Sequence, residues 1–479
     1  MNAVLENKTT SNCLVKTGRH RWLLLPIEAK VREFEAKIFL GCLAAERGYS
    51  VLVGHYGVIN RWSGCLPRGM ILEKNISVRY KSWLSKLRSL GYRLCVNDEE
   101  SLGLFLDQGS WFRIRMHKEM VALVDYVFAW SEPHAELIQK EYPDYADKIV
   151  AVGTPRFDLL RSELRGLYGQ EVSDLKERFG RFILLPSNFA AVINVKGDDS
   201  TLQRRLRHGY IKTKEEEQTY IESLDHERSN LNEYVRAFQR IRSEFPDHAL
   251  IVRPHPIDDH EFWKKAIESV GNAYVVYEGS ITPWLLAAEA IFHCGCSTGM
   301  EARIMERCSV AYHPHMDERF DNLPSTEIGP VVRDEDGLIS FIRQAIGSHG
   351  GCGLDKQDVE KYICSLDGKF ASEKMLDALD NVSMQDAAMN LTWSNPRAIK
   401  VRMHEWFRRW RREIRAKFDG QAGMLANKKK RSQQKWPGAS LDEVRSLVAK
   451  YSDMTGCFGQ VEVKQVTEDL FCLSQKRDF

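Results

Sequence analysis

Residues 249–256 read ALIVRPHP, an apolar run followed by a turn that two prolines hold rigid. The apolar part predicts a buried strand, and the turn 253–256 leaves its carboxyl end. Ligands of open parallel sheets bind outside the carboxyl ends of the strands. We therefore expect Arg253 and His255 to contact the phosphate of a bound donor, with the imidazole donating to the phosphate or to a leaving-group oxygen. The alternative is a rigid turn in which the histidine is incidental.

A second loop, 294–301, reads CGCSTGME and joins an apolar strand pattern to a helical one. Small residues let backbone amides approach an anion, and the helix N-terminus adds a positive dipole end. We expect Ser297, Thr298 and Gly299 to form a phosphate cradle. The alternative is an ordinary N-cap by Ser297 or Thr298. Glu278 and Asn188 are further candidates for contact with the donor, because each follows a predicted strand of the same series.

Three acids, Asp98, Glu99 and Glu100, follow the predicted strand 93–96. Carboxylates are the usual nucleophiles and bases of glycosyl transfer, so one of the three is expected to be catalytic. An acidic turn exposed to water is the alternative.

Two further sites carry charge beside predicted strands. Glu28 and Arg32 follow the first strand and are candidates for acceptor binding, unless they belong to a structural salt-bridge network. Arg156, in the turn 153–158, could bind a carboxylate or phosphate of the donor bidentately. Its alternative role is a hinge-stabilising pair with Asp158.

Short apolar runs alternate with helical patterns along most of the chain, which indicates parallel sheets with helices on both faces. The runs form two series, so two doubly wound α/β domains are predicted. The predicted strands are 23–27, 51–54, 93–96, 126–130 and 149–152 in the first series, and 182–186, 250–253, 274–277, 291–294 and 310–313 in the second.

The predicted organisation is a polar tail (1–21), an N-terminal domain (22–180), a C-terminal domain (181–383) and a basic extension (384–479). In the extension, residues 397–418 place tryptophans and aliphatic residues at helical spacing among arginines. Such a cationic amphipathic helix either anchors the protein at a membrane surface or packs on the N-terminal domain. A short helix (441–451) and a strand pair (461–473) are expected to follow.

Composition limits the function further. The chain has 479 residues, and 68 Lys and Arg nearly balance 66 Asp and Glu, so no general attraction to nucleic acid is implied. Eleven cysteines without CxxC spacing indicate no zinc site and suggest free thiols in a reducing cytosol. No apolar run approaches the roughly 20 residues of a membrane span. We expect a cytoplasmic enzyme that needs neither metal nor cofactor.

The segments LLLPIEAKVR (23–32), LPRG (66–69) and GTPRFDLL (153–160), with the acids 98–100, resemble the bacterial surface carbohydrate biosynthesis protein family over about residues 22–380. This resemblance implies a GT-B-like fold, in which two Rossmann-like domains face a central cleft. It also implies a glycosyltransferase of lipopolysaccharide or capsule synthesis.

A more distant similarity, to the retaining β-Kdo transferases, involves Glu99 and Glu100, the turn 253–256 and the segment STGMEA (297–302). It implies CMP-Kdo or a related CMP-activated ulosonic acid as donor, with His255, Ser297 and Thr298 at the CMP phosphate. The acidic motif has Glu where that family usually has Asp, so the nucleophile stays open.

The expected function is metal-independent, retaining transfer from a nucleotide sugar to a glycan or lipid-linked glycan. The segment 397–418 could place the enzyme on the inner face of the inner membrane. Three alternatives stay open: a CDP-glycerol-type polyol-phosphate transferase, an enzyme like a UDP-sugar 2-epimerase, and a non-catalytic membrane-surface scaffold.

Overall fold

The computed structural model describes residues 21–106, 108–193, 198–207, 209–321, 324–348, 356–382, 403 and 435–476. Its strands form two sheets. They are β1 (Arg21–Ile27), β2 (Tyr49–His55), β3 (Met70–Glu73), β4 (Arg93–Asn97), β5 (Tyr126–Ala129), β6 (Ile149–Ala151), β7 (Phe182–Pro186), β8 (Ala249–Arg253), β9 (Ala273–Val275), β10 (Ala290–His293), β11 (Ser309–Tyr312), β12 (Val331–Val332), β13 (Val461–Thr467) and β14 (Leu470–Gln475).

Helices connect the strands and cover the sheets. Those before β7 are Lys30–Glu46, Tyr56–Trp62, Val78–Tyr80, Lys81–Ser89, Gly103–Leu106, Gln108–Ser110, Trp111–Arg115, Lys118–Leu123, Glu132–Glu141, Pro143–Lys148, Pro155–Asp158, Arg165–Tyr168 and Gly169–Phe179. Those after β7 are Asp198–Arg207, Lys214–Glu244, His260–Ala266, Thr282–Ala287, Ser297–Ile304, Glu318–Asp321, Pro324–Glu327, Glu335–Gly347, Lys356–Glu360, Ala371–Asp380 and Leu441–Thr455.

Both sheets have a parallel core. The first runs β13-β14-β2-β1-β3-β4-β5-β6 and the second runs β12-β11-β10-β7-β8-β9. In the first sheet β1 lies between β2 and β3, and in the second β7 lies between β8 and β10, all in parallel. Strands buried on both faces need near-continuous apolar runs, which is the pattern of Leu23–Leu25 and Ile183–Leu185. The predicted α/β fold with two Rossmann-like parallel sheets is confirmed.

Two strands, β3 and β12, were not predicted from the sequence. They have four and two residues. Runs this short show no periodicity by which a strand differs from a loop. Their positions are decided by pairing with β4 and with β11.

The C-terminal residues belong to the first sheet. β14 pairs antiparallel with β2, and Leu470, Phe471 and Leu473 are fully buried there. The helix Leu441–Thr455 packs against the helix Lys30–Glu46 in the same core. The expected helix 441–451 and strand pair 461–473 are therefore confirmed. The cationic segment 397–418 lies outside the described residues, apart from residue 403.

The chain returns to the first sheet before the expected end of the second domain. Asp158 accepts hydrogen bonds from the amides of Ala371 (2.7 Å) and Ser372 (2.9 Å), at the start of the helix Ala371–Asp380. Arg47 pairs with Asp377 of the same helix at 2.7 Å. The expected domain limits 22–180 and 181–383 stay a prediction. The helix Ala371–Asp380 nevertheless packs with the first sheet, and the amides at its N-terminus bind the carboxylate of Asp158.

Eight cysteines in the described ranges have free thiols, whereas Cys308 is disulfide-bonded. The expectation of free thiols throughout is wrong for Cys308. Within the described part of the chain, no helix has the length and apolarity that crossing a membrane requires.

The close contact between β2 and the C-terminal hairpin yields a stability prediction. A Cβ atom on Gly54 would lie 2.1 Å from the carbonyl oxygen of Asp469. Gly54→Ala should therefore lower the free energy of unfolding by about 1–3 kcal/mol, the usual cost of overpacking. Gly459→Ala is the matched control, because a Cβ there meets no other part of the chain within 4 Å. Urea titration measures both, and equal midpoints would contradict the contact.

Candidate active site

A cleft of about 330 Å³ lies where the strands of both sheets end. Its wall on the side of the first sheet comes from residues that follow β1, β4 and β6. Its other wall comes from residues that follow β7, β8, β9 and β10. The arrangement is GT-B-like, since two Rossmann-like sheets face one cleft. The predicted site residues that line it are Arg32, Glu100, Arg156, Asn188, Arg253, His255, Ser297 and Thr298.

The turn 253–256 is held from beneath by Asp258, which is fully buried. Its Oδ2 accepts hydrogen bonds from Ser187 Oγ (2.6 Å), Trp263 Nε1 (3.0 Å) and the backbone amide of His255 (3.2 Å). Burial raises the pKa of Asp258 to about 6, although these donors oppose the shift. One carboxylate thus connects the loops that follow β7 and β8. Sequence analysis missed this residue.

The imidazole of His255 is oriented by its own loop. Its Nδ1 accepts a hydrogen bond from the backbone amide of Ile257 at 3.4 Å. In the neutral ring the proton then sits on Nε2, which makes His255 a hydrogen-bond donor at the wall of the cleft. The contact of His255 with a donor phosphate stays a prediction.

Arg253 supplies a buried cation to the same wall. Its guanidinium donates to the carbonyl oxygens of Glu278 (2.7 Å) and Gly279 (3.0 Å) and lies 4.8 Å from the ring centre of Trp284. Burial lowers the pKa of Arg253 to about 10, so it stays charged at neutral pH. Among the residues that the structure describes, no carboxylate forms an ion pair with it. A bound anion would compensate this charge.

The helix Ser297–Ile304 begins at the cleft. Its N-cap is Cys296, whose side chain forms no cap hydrogen bond, so the alternative of a cap by Ser297 or Thr298 is wrong. Gly295 turns the chain into the helix with φ +74°, which favours glycine. The first helical turn therefore presents its positive end and two hydroxyls to the cleft.

Gly299 does not line the cleft, in contrast to its predicted contact with the donor. It is buried, and a Cβ at this position would lie 2.2 Å from Nε2 of His293. The residue is small because the helix packs closely on β10.

Only one of the three acids, Glu100, lines the cleft. Asp98 is buried and binds Arg115 through several hydrogen bonds of 2.8–3.0 Å. The same Arg115 pairs with Glu100 at 2.6 Å. Desolvation by itself raises the pKa of Glu100, but the charges of Arg115 and Arg32 outweigh this effect and hold the pKa below its usual value. The predicted catalytic role of Asp98 is not supported, because its side chain points into the protein.

Glu99 and Arg156 form a buried bridge across the cleft floor. Arg156 donates to Glu99 at 3.3 Å and to Glu301, from the opposite wall, at 2.5 Å. Glu99 lines a smaller neighbouring pocket instead of the cleft. The cation is already compensated, so Arg156 is not available to a donor carboxylate. Its alternative pair with Asp158 does not form, since Asp158 caps the helix Ala371–Asp380.

Of the remaining candidates, Arg32 lines the cleft, whereas Glu28 and Glu278 do not. Glu28 pairs with Lys74 and with Lys435, the latter at 2.5 Å, and these lysines lower its pKa to about 2 against the effect of burial. This is the salt-bridge network that the sequence left as an alternative. Glu278 pairs with Arg178 at the surface at 2.5 Å, and only its carbonyl group reaches Arg253.

The cleft also holds residues that sequence analysis did not identify. Two carboxylates, Glu35 and Glu301, and two phenols, Tyr168 and Tyr277, line it. The available signal for Glu35 was its position three residues after Arg32, which places both on one helix face. Within the described ranges, no group of His, Cys, Asp and Glu side chains could hold a metal ion.

No family model matches the chain, and no curated protein sequence matches it. Among solved structures, a wall teichoic acid polymerase TagF is similar with a TM-score of 0.45 and 11% identity, covering 75% of this chain and 87% of that one. A UDP-GlcNAc 2-epimerase from Methanocaldococcus jannaschii gives 0.47 and 11%, covering 76% and 99%. A putative UDP-N-acetylglucosamine 2-epimerase from Listeria monocytogenes gives 0.45 and 13%, covering 76% and 96%. At these scores the comparison carries no assignment of activity.

The contacts of Asp258 yield a prediction for the cleft. Asp258→Ala leaves three donors without their acceptor and should lower the free energy of unfolding by about 3 kcal/mol or more. The neighbouring Asp259 only caps the helix His260–Ala266, so Asp259→Ala should cost about 1 kcal/mol. Urea titration of both variants measures the difference. Equal losses would show that Asp258 does not organise the loops.

Proposed function

We propose that the protein is a glycosyltransferase of bacterial surface polysaccharide synthesis that uses a nucleotide-activated sugar. One observation carries the proposal: Arg253, His255 and the first turn of the helix Ser297–Ile304 line one wall of a cleft, and Glu100 lines the other. Phosphate-binding groups thus face a carboxylate across a space that a nucleotide sugar could fill.

In this proposal the first wall holds the departing phosphate. Its charge is neutralised by the guanidinium of Arg253 and by the helix N-terminus, and His255 donates to a phosphate oxygen. Because these groups already supply positive charge and donors, the proposed chemistry requires no metal ion. Asn188 and Thr298 lie on the same wall and would contact the donor.

Glu100 is the proposed catalytic carboxylate. Its lowered pKa keeps it ionised at neutral pH, as a nucleophile at an anomeric carbon must be. Arg115 orients it through the 2.6 Å ion pair. A covalent intermediate at Glu100, followed by attack of the acceptor, would retain the anomeric configuration.

The proposed donor is a CMP-linked ulosonic acid such as CMP-Kdo, on the strength of the motifs at 253–256 and 297–302. Such a sugar carries its own carboxylate, which needs a cation. Because Arg156 is paired with Glu99 and Glu301, Arg32 is the cation proposed for this contact.

The donor is tested by nucleotide binding and by turnover. CMP should raise the melting temperature, while UDP, CDP and GDP at equal concentration should not; saturation at 100 times Kd corresponds to about 2.7 kcal/mol. CMP should then be released from CMP-Kdo in the presence of a glycan acceptor. Stabilisation by CDP with turnover of CDP-glycerol would favour polyol-phosphate transfer, and turnover of UDP-GlcNAc without an acceptor would favour epimerisation.

The catalytic carboxylate is tested by Glu100→Gln, which should lower transfer about 10³-fold or more because the nucleophile is lost. The CMP-induced melting shift should persist, since the phosphate-binding wall is unchanged. Glu278→Gln is the matched control and should transfer at the wild-type rate, because the side chain of Glu278 is half-exposed and lies outside the cleft. Full transfer by Glu100→Gln would overturn the role of Glu100, whereas a wild type that binds nucleotide but transfers no sugar would favour a non-catalytic scaffold.

A further inference from the structure

Glu35 is a carboxylate that lines the cleft and has no role in the sugar transfer proposed above. It lies on the helix Lys30–Glu46, one turn after Arg32, and lines the wall on the side of the first sheet. The hydroxyl of Tyr168 donates to its Oε2 at 2.8 Å. Ser280, from the opposite wall, faces the same carboxylate. The side chain is therefore positioned and reaches the space between the two walls.

The charges around Glu35 differ from those around the other acids of the cleft. Asp98 and Glu100 are bound by Arg115, and Glu99 and Glu301 by Arg156. In the described chain Glu35 has no ion-pair partner within 4.0 Å. It is the carboxylate best suited to exchange a proton.

The titratable groups that face Glu35 come from three neighbouring elements. They are Tyr168, Glu171 on the following helix, and Lys450 and Tyr451 on the C-terminal helix. Lys450 is itself paired with Glu171 at 2.5 Å, so its charge is largely compensated. Burial raises the pKa of Glu35 above its usual value, although the hydrogen bond from Tyr168 and the charge of Lys450 oppose this shift. A raised pKa makes a carboxylate a stronger base near neutral pH.

We infer that Glu35 is the general base that takes the proton from the acceptor hydroxyl, with Tyr168 as a positioning residue. The inference rests on the proposed function. In the first step Glu100 attacks the anomeric carbon, and the bond from that carbon to the phosphate oxygen breaks with release of the nucleotide.

In the second step the acceptor oxygen attacks the same carbon while its proton passes to a carboxylate oxygen of Glu35. The bond between the sugar and Glu100 breaks and returns the electron pair to the Glu100 carboxylate. Glu35 then releases the proton to solvent through the open cleft. No oxidant or further reactant is required.

The two steps can be separated with CMP-Kdo as the donor. Glu35→Gln should still release about one CMP per enzyme in a rapid burst, because Glu100 is intact. Steady-state transfer to the acceptor should fall by about 10²–10⁴-fold, the usual contribution of a general base. Glu100→Gln should lose both the burst and the transfer, which distinguishes the roles of the two acids.

The pH dependence tests the assignment independently of Glu35→Gln. In the wild type, transfer should fall on the acidic side as Glu35 becomes protonated. Tyr168→Phe removes a donor that stabilises the ionised form, so the acidic limb of kcat/KM should move to higher pH. Glu35→Gln should lose this limb.

These experiments distinguish failure of the proposed function from failure of the role of Glu35. A wild type that releases no nucleotide from any donor overturns the proposed function itself. A wild type that transfers, with a Glu35→Gln variant of equal rate and unchanged pH profile, overturns only the role of Glu35. Loss of both burst and transfer in Glu35→Gln also overturns it. If that variant does not fold, an unmoved acidic limb in Tyr168→Phe overturns the inference.

Discussion

The buried bridge Glu99–Arg156–Glu301 fixes the distance across the cleft. Glu99 is the neighbour of Glu100 on one wall, and Glu301 lies one helical turn beyond Ser297 on the other. All three bridging side chains are at most 11% exposed. Removing one partner of a buried ion pair typically costs about 3–5 kcal/mol, because the other charge is left uncompensated. The bridge therefore holds Glu100, the proposed catalytic carboxylate, opposite the helix Ser297–Ile304, which is proposed to bind phosphate.

Ion pairs within the protein also determine which charged side chains stay available for chemistry. Two arginines are already paired with acids of the protein. Arg115 pairs with Asp98 and Glu100, and Arg156 belongs to the bridge. Arg253 forms hydrogen bonds only to backbone carbonyl groups among its described contacts, and Arg32 contacts a carbonyl group at 3.5 Å. The proposed anion binding in the cleft is therefore assigned to these two cations and to the helix N-terminus.

The C-terminal residues support the helix that carries Arg32 and Glu35. Trp436 packs edge-on against Phe34, and Lys30 pairs with Glu443 at 2.7 Å. The hydroxyl of Tyr451 donates to the carbonyl oxygen of Glu35 at 3.0 Å. Residues 435–476, which the sequence analysis placed in a basic extension, thus support this wall of the cleft, and β14 pairs with β2 of the first sheet.

Sequence alone determined the strands of both series except β3 and β12, and it identified the loops 253–256 and 294–301. A run of buried apolar residues, and a strand end marked by proline or glycine, are local properties of the sequence. It also identified three adjacent acids after β4, but not which of them faces the cleft. That choice depends on Arg115 and Arg156, which are 15 to 57 residues away in the chain. Asp258 and Glu35 were missed for the same reason: the fate of a charge is decided by partners that only tertiary packing brings within hydrogen-bonding distance.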